Sequence, residues 1–277
     1  MFGTCWAVAF SSEQLPSAVP EPAREAQAPL RVSVVIPAYQ EGEHIRPILD
    51  RVLESVSLPC EVLIVVDVPA DPTVPVVREF AARDERARVV VNTYGRGPAR
   101  AIRYGIDQAR ASTVVVTMAD GSDDPRQIDD LCRLVERGVV VAAASRFSPG
   151  GQQVGGPIVK SLLSRTAGRS LHLLARVGTR DATNSFKAYD REFVRTVGIH
   201  SNTGFEIGLE LTAKAKRLGL PVAEIPTIWL ERGAGISNFD VWGWLPRYLR
   251  WYRFAFGGRL TAETMAAQLG ETTREQS

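Results

Sequence analysis

Cysteine and histidine are scarce, and their spacing narrows the chemistry. Cys5, Cys60 and Cys132 are scattered with no CxxC spacing, so neither a disulfide framework nor a zinc site is expected and a reducing compartment is indicated. His44, His172 and His200 are equally dispersed, which argues against a histidine-based metal centre. No apolar run reaches the roughly 18 residues of a transmembrane helix. An excess of one charge is also missing. The chain has 33 basic and 31 acidic residues, net +2, which gives no whole-molecule attraction to nucleic acid. No repeat of solenoid length occurs. The phosphate loop GxxxxGK(S/T) is absent, and "GRGPAR" (95–100) lacks the third glycine of a dinucleotide fingerprint.

What is present is an ordinary core-forming composition: 277 residues, 45% hydrophobic and 23% charged, enough for one large α/β domain with or without an appendage. Near the N-terminus "FGTCWAVAF" is apolar but short and lacks a positively charged flank. Residues 11–30 are rich in Pro, Ser, Ala and Glu, so 1–30 are expected to be a flexible leader. From Val32 onward "VSVVIP", "EVLIVVD", "ARVVVN" and "STVVVTM" are short, β-branched runs, as strands covered on both faces should be. Helically spaced segments alternate with them. The pattern is repeated βαβ, which predicts a mainly parallel sheet flanked by helices. Ligands of such sheets bind at the carboxyl ends of strands, and that is where the acids fall: Glu41, then Asp67 and Asp71, then Asp120, Asp123 and Asp124. Asp124 before Pro125 reads as a helix cap, and Asp123 as turn or capping chemistry. Asp120 closes a buried strand and points to a ligand.

Four of these stretches, "VSVVIPAYQEGEHI", "VVDVPADPT", "NTYGRGPARAIRYGI" and "VVVTMADGSDDP", resemble glycosyltransferase family 2, which implies the A-type nucleotide-sugar fold. The later "ASRFSPGG", "DATNSFKAYDR", "GFEIGLEL", "EIP" and "ERGAGIS" resemble its polyprenyl-phosphate, dolichol-phosphate mannose synthase-like branch. The likeness runs from about Val32 to Phe256. It implies that Pro37, Ala38, Tyr39, Glu41, Gly97 and Ala119 contact the nucleotide sugar, with Asp67 accepting the nucleobase imino proton. Asp120 matches the second acid of the family's DxD, which holds Mg2+ or Mn2+ against the diphosphate. Ser122 is the expected second metal ligand, with Asp123 as an outer helper. Two positions depart from the pattern: Val66 and Met118 stand where acids are usual.

A leaving nucleoside diphosphate gains negative charge, so a cation and nearby donors stabilise it. A sugar-hydroxyl acceptor also needs a general base, whereas a phosphate acceptor is already ionised and needs cations to position it. The candidates are Arg146, Lys160, Ser164, Lys187 and Arg232. Arg146, Ser164 and Arg232 match acceptor-phosphate positions of the resembled branch, and Lys160 stands where arginine is commoner. Asp181 and Glu210 also match motif acids, each with a structural ion pair as the competing reading. Asn238 replaces a usual lysine.

The segment "FDVWGWLPRYLRWYRFAFGGR" combines arginines every third residue with large aromatics, the composition of a helix lying in a membrane interface or packed on the domain. The expected organisation is therefore leader 1–30, glycosyltransferase catalytic domain 31–238, amphipathic helix 239–260 and disordered tail 261–277. The resemblance implies an enzyme that moves a hexose from GDP-mannose or a UDP-hexose to a polyprenyl or dolichyl phosphate, from a cytoplasmic, peripherally membrane-associated position. A soluble hydroxyl acceptor, or nucleotide-sugar binding without catalysis, are the alternatives that Val66 and Met118 keep open.

Overall fold

The computed structural model describes residues 28–156, 158–202, 204–231 and 241–274, without the side chains of 158–160, 241–244 and 271–274. β1 (Val32–Ala38) and β2 (Cys60–Val66) are buried along their whole length. They pair in parallel with each other, as do β1 with β4 (Thr113–Val116) and β2 with β3 (Ala87–Val91). The full sheet has the order β3-β2-β1-β4-β7-β5-β8, with β5 at Val141–Ser145, β7 at Lys187–Asp190 and β8 at Val222–Pro226. β7 runs antiparallel to its neighbours β4 and β5. A separate parallel pair joins β6 (Gln152–Val154) to β9 (Ile228–Leu230).

Alternation along the strands sorts the core into two layers. Val32, Val34 and Ile36 face α1 (Ile45–Ser55), α2 (Thr73–Ala81) and α4 (Ile128–Glu136), whereas Val35, Leu63 and Val65 face α3 (Pro98–Gln108). That second layer also holds α6 (Arg191–Val197), α7 (Ile207–Leu218) and α8 (Val241–Ala255). Burying each such aliphatic side chain stabilises by about 1.5–3 kcal/mol. Gly105 lets α3 approach closely, because a Cβ there would lie 2.4 Å from Val35 Cγ1.

The tail departs from expectation. Residues 262–274 form α9 (Ala262–Arg274) rather than a disordered segment, and Met265 and Leu269 are buried in the second layer. The apolar stripe is only these two residues at i and i+4, too narrow to register in a polar composition. Thr261 starts the helix, its hydroxyl accepting the Thr264 N–H at 3.2 Å. The leader expected over 1–30 falls almost wholly outside the described residues.

Candidate active site

Strand order reverses between β1 and β4, and open α/β sheets bind ligands at that kind of switch point. Beyond β1, Gln40 adopts φ 55°, a left-handed backbone that needs support in a non-glycine residue. Asp71 supplies it. Its Oδ2 accepts the Gln40 N–H at 3.0 Å, and its Oδ1 accepts that of Thr73 at 2.8 Å. The Thr73 hydroxyl accepts the amides of Glu41 and Gly42. The turn from Pro37 to Glu41 is thus braced by the loop after β2, with Ala38 buried and the Tyr39 ring 66% exposed. Asp67 follows β2 directly. Its two oxygens accept from Asn92 Nδ2 at 3.0 Å and from the Gly97 amide at 2.9 Å. Each oxygen carries a second lone pair, so Asp67 keeps acceptor capacity.

The acid-rich turn after β4 separates into distinct roles. Asp120 Oδ1 accepts the Ser122 amide and hydroxyl at 3.0 and 2.6 Å. Asp123 is buried and braces the turn from inside, accepting from the Thr117 hydroxyl at 2.8 Å and the Met118 amide at 3.3 Å. Burial first, and the neighbouring Asp120 charge second, push its pKa up to about 6. Asp124 caps the short turn Pro125–Gln127 and pairs with Arg126, as the sequence suggested. Gly121 takes φ +69° where the chain reverses, and Arg51 clamps the carbonyls of Gly121 and Asp123 at 2.9 and 3.0 Å. The Ser122 carbonyl accepts the Leu230 amide, which lays β9 along the turn. Ala119 is buried within it.

Arg146 follows β5. Its Nε and Nη2 donate to the two oxygens of Asp181 at 2.7 and 2.9 Å, and its amide donates to Asp181 as well. Burial opposes the guanidinium charge, yet the charge and hydrogen bonds of Asp181 prevail and leave the Arg146 pKa raised. Asp181, fully buried, is held below the usual carboxylate range because the same pair outweighs its own desolvation. Asp123 and Arg146 perturb each other electrostatically, so the acid turn and this guanidinium share one region.

Lys187 does not join them. The sequence reading placed it on an acceptor phosphate, but its side chain is completely buried and its ammonium donates to the carbonyls of Asp181, Ala182 and Asn184. Burial pulls its pKa down to about 7. It shapes the loop that carries Asp181. Glu210 is likewise structural: fully buried, it pairs with Lys214 and accepts from the amides of His200 and Ser201. Ser164 lies on α5 (Ile158–Ser170), partly exposed. The Lys160 side chain, Arg232 and Asn238 lie outside the described residues.

Two further residues were passed over in the sequence as candidates for the site. Glu206 is buried with Oε2 unpartnered among the described residues, and desolvation raises its pKa against the offsetting charge of Arg247. Tyr248, on α8, is raised by burial and by Glu206, and it perturbs Arg146 in turn. An acid set between Phe205 and Ile207 was the available signal.

The family profile described as Glycosyl transferase family 2 matches residues 33–198. The chain belongs to that family. This glycosyltransferase is 32% identical over 216 residues to a polyprenol monophosphomannose synthase of Mycolicibacterium smegmatis, covering 76% of this chain and 81% of that protein. It is 28% identical over 218 residues to an undecaprenyl-phosphate mannosyltransferase of Micrococcus luteus, covering 76% and 88%. Among solved structures, glucosyl-3-phosphoglycerate synthase from Mycobacterium tuberculosis, in complex with Mn2+, uridine diphosphate and glucosyl-3-phosphoglycerate, shares the fold. Its TM-score is 0.61 at 19% identity, covering 83% of this chain and 81% of that one. A mannosyltransferase from Pyrobaculum calidifontis in complex with GDP-Man and Mn2+ matches with TM-score 0.58 at 19% identity, covering 88% and 70%. The expected mainly parallel, helix-flanked architecture is the observed one.

The glycosyltransferase offers hard oxygen donors for a divalent cation, but few of them. No group of three or more His, Cys, Asp or Glu side chains assembles among the described residues. Mg2+ characteristically takes one or two carboxylates and completes its shell with water and substrate phosphates, so Asp120 with the Ser122 hydroxyl fits such a site. The repulsion between Asp120 and Asp123 is what a cation at Asp120 would offset. Met118, at the position of the missing acid, uses its backbone amide to bind Asp123 instead.

Proposed function

We propose that this glycosyltransferase moves a hexose, mannose from GDP-mannose by preference, to the phosphate of a polyprenyl or dolichyl lipid at the cytoplasmic membrane face, inverting the anomeric centre. The observation that carries the reading is that Asp120 and Arg146 follow the carboxyl ends of two sheet strands, β4 and β5, that run in the same direction, with Arg146 held in a fork by Asp181. Likeness to two prenyl-phosphate mannosyltransferases supports the choice of acceptor and sugar.

In this reading the braced turn from Pro37 to Glu41, with Gly97 and Ala119, receives the nucleotide, and Asp67 accepts an N–H from its base. Mg2+ or Mn2+ held by Asp120 and Ser122 would, when bound, neutralise charge on the diphosphate. Arg146 commits two of its five N–H groups to Asp181, leaving three for an acceptor phosphate. Ser164, Lys160 and Arg232 are assigned to the same phosphate. An acceptor oxygen attacks the anomeric carbon as the bond to the diphosphate breaks, and the diphosphate leaves with the electron pair. The acceptor is already ionised, so no side chain has to remove a proton, and a single displacement inverts the centre.

The test is transfer of radiolabel from GDP-mannose into the organic phase in the presence of membranes. Asp120→Ala should lower it by at least about 100-fold, even in excess Mg2+ or Mn2+. Unchanged turnover would sink the metal assignment, and a product that keeps the donor's anomeric configuration would sink inversion.

A further inference from the structure

A short π-helical turn, Leu171–Ala175, continues α5 and ends at Arg176 in a left-handed backbone with φ 56°. Such wide turns give up regular helical bonding and recur at functional sites. Leu171 and Ala175 anchor this one in the core, while His172 lines a cavity of about 330 Å³ between α5 and the segment that follows β5. None of the residues lining that cavity belongs to the proposed nucleotide, metal or acceptor-phosphate positions.

Phe147, Pro149 and Leu173 give the cavity apolar walls, Arg169, His172 and Arg180 give it polar groups, and no acid lines it. Each of the three has unused bonding capacity. His172 Nδ1 is buried with no hydrogen-bond partner among the described residues, a state that favours a polar occupant beside it. The Arg169 guanidinium makes no ion pair among the described residues. Arg180 donates its amide and Nη1 to Glu224, which leaves Nε and Nη2 without a protein partner among the described residues. Residues 157–180 contain five Lys or Arg and no acid, so the cavity wall is locally cationic although the chain as a whole is near neutral.

The walls are also held in place, as a site for a ligand requires. Gly168 brings α5 directly onto the Arg180 backbone, where a Cβ would lie 2.1 Å from the Arg180 carbonyl oxygen. The guanidinium groups of Arg146 and Arg165 lie over the Phe147 ring at 5.0 and 5.4 Å. Glu224 fixes the other wall through the Thr179 hydroxyl and the Arg180 amide at 3.0 and 2.7 Å.

We infer that this cavity is a second anion site, which binds a small soluble phosphate monoester through Arg169, Arg180 and the His172 imidazole. Guanidinium groups match phosphate oxygens in paired hydrogen bonds, and Phe147 and Leu173 would cover the organic part. The volume is at the small end of ligand pockets, which run from about 300 to 1,000 Å³; it suits a compact ester rather than a nucleotide. Phe147 follows Arg146 and Arg180 precedes Asp181, so an occupant abuts both halves of the Arg146–Asp181 pair. The inference does not depend on the proposed function, because it concerns residues outside that site.

The full chain, in chloride buffer with EDTA at constant ionic strength, is titrated calorimetrically with inorganic phosphate and with glycerol 2-phosphate. Both should bind saturably, and Arg169→Ala and His172→Ala should each weaken binding about tenfold or more with an unchanged melting temperature. Arg83→Ala, an exposed arginine remote in the fold, and Arg146→Lys should bind as wild type. Heats no larger than those of sodium chloride at equal ionic strength would overturn the inference, leaving the cavity to solvent. Loss in Arg146→Lys with retention in Arg169→Ala would also overturn it, by assigning the phosphate to the acceptor position. A lipid headgroup carries the same chemistry, so dioctanoyl phosphatidic acid is the third probe. A response to it without one to glycerol 2-phosphate would overturn the assignment to a soluble ester.

Discussion

Arg146 and Lys187 are two buried cations about one carboxylate, and their hydrogen bonds give them opposite roles. Arg146 pairs in a fork with Asp181 and keeps unused N–H groups, whereas the Lys187 ammonium is enclosed by three carbonyls. Residue type alone could not separate them, because both are motif cations in the sequence and the difference is one of side-chain direction. Arg146→Lys retains charge but loses the planar fork. It should lower kcat/KM for the lipid acceptor by about 10–100-fold while leaving the donor KM near wild type. Steady-state kinetics with each substrate varied separately checks this, and a change confined to the donor would remove Arg146 from the acceptor. Asp181→Asn leaves the guanidinium buried without its counter-ion, which costs about 3–5 kcal/mol when such pairs are broken. A lowered denaturation midpoint would report it.

Among elements, α7 and α8 show how a motif acid can belong to packing. Glu210 and Lys214, one turn apart on α7, are both fully buried. Ser201 donates to Glu210 and accepts from Trp251 Nε1 at 3.1 Å. The Lys214 ammonium lies 5.2 Å from the centre of the Trp251 ring, so the ion pair is part of the dock for α8. Desolvation opposes ionisation of Glu210, but Lys214 and the surrounding donors lower its pKa to about 2 from an ordinary 4.5. A carboxylate lowered on folding stabilises above its unfolded pKa and loses that contribution as pH falls. The acid limb of stability should therefore lie between about pH 4.5 and 2. Glu210→Gln should lower stability at pH 7 by on the order of 3 kcal/mol and flatten that limb, without altering kcat of the folded enzyme. A selective loss of kcat would instead make Glu210 part of the chemistry. The same scale explains what could be read in advance. β1, β2 and β4 are runs rich in β-branched residues, legible because both faces are buried, and their carboxyl-end acids mark the site; β3 is a similar run at the sheet edge, only partly buried. β6 and β9 have three residues each, and β8 is only half-buried. Their positions depend on partners distant in sequence, so no local period announces them. α9 escaped notice because two buried residues are too few to make a stripe.

At the scale of the whole molecule, the proposed nucleotide site is shared between loops that only the assembled sheet brings together: the turns after β1, β2 and β4, and the Gly97 start of α3. A ligand bound there favours the folded state alone, adding about 2.7 kcal/mol at a hundredfold excess over Kd. For a chain of this size that is roughly 5–10 °C in melting temperature. GDP with Mn2+ should give such a shift by calorimetry or thermal scanning, and GDP alone a smaller one. Asp120→Ala should erase the metal-dependent increment and keep the nucleotide-dependent part, because its Oδ1 supports only Ser122 within its own turn. Base selectivity tests the other end of the crevice. Guanine and uracil carry a ring N–H that the free lone pairs of Asp67 can accept, whereas adenine has none at its pairing edge. GDP and UDP should therefore stabilise the fold more than ADP, which shares the diphosphate but lacks the ring N–H. Equal shifts from ADP and GDP would mean that Asp67 is engaged only by Asn92 and Gly97, as a brace for the start of α3 rather than a reader of the base.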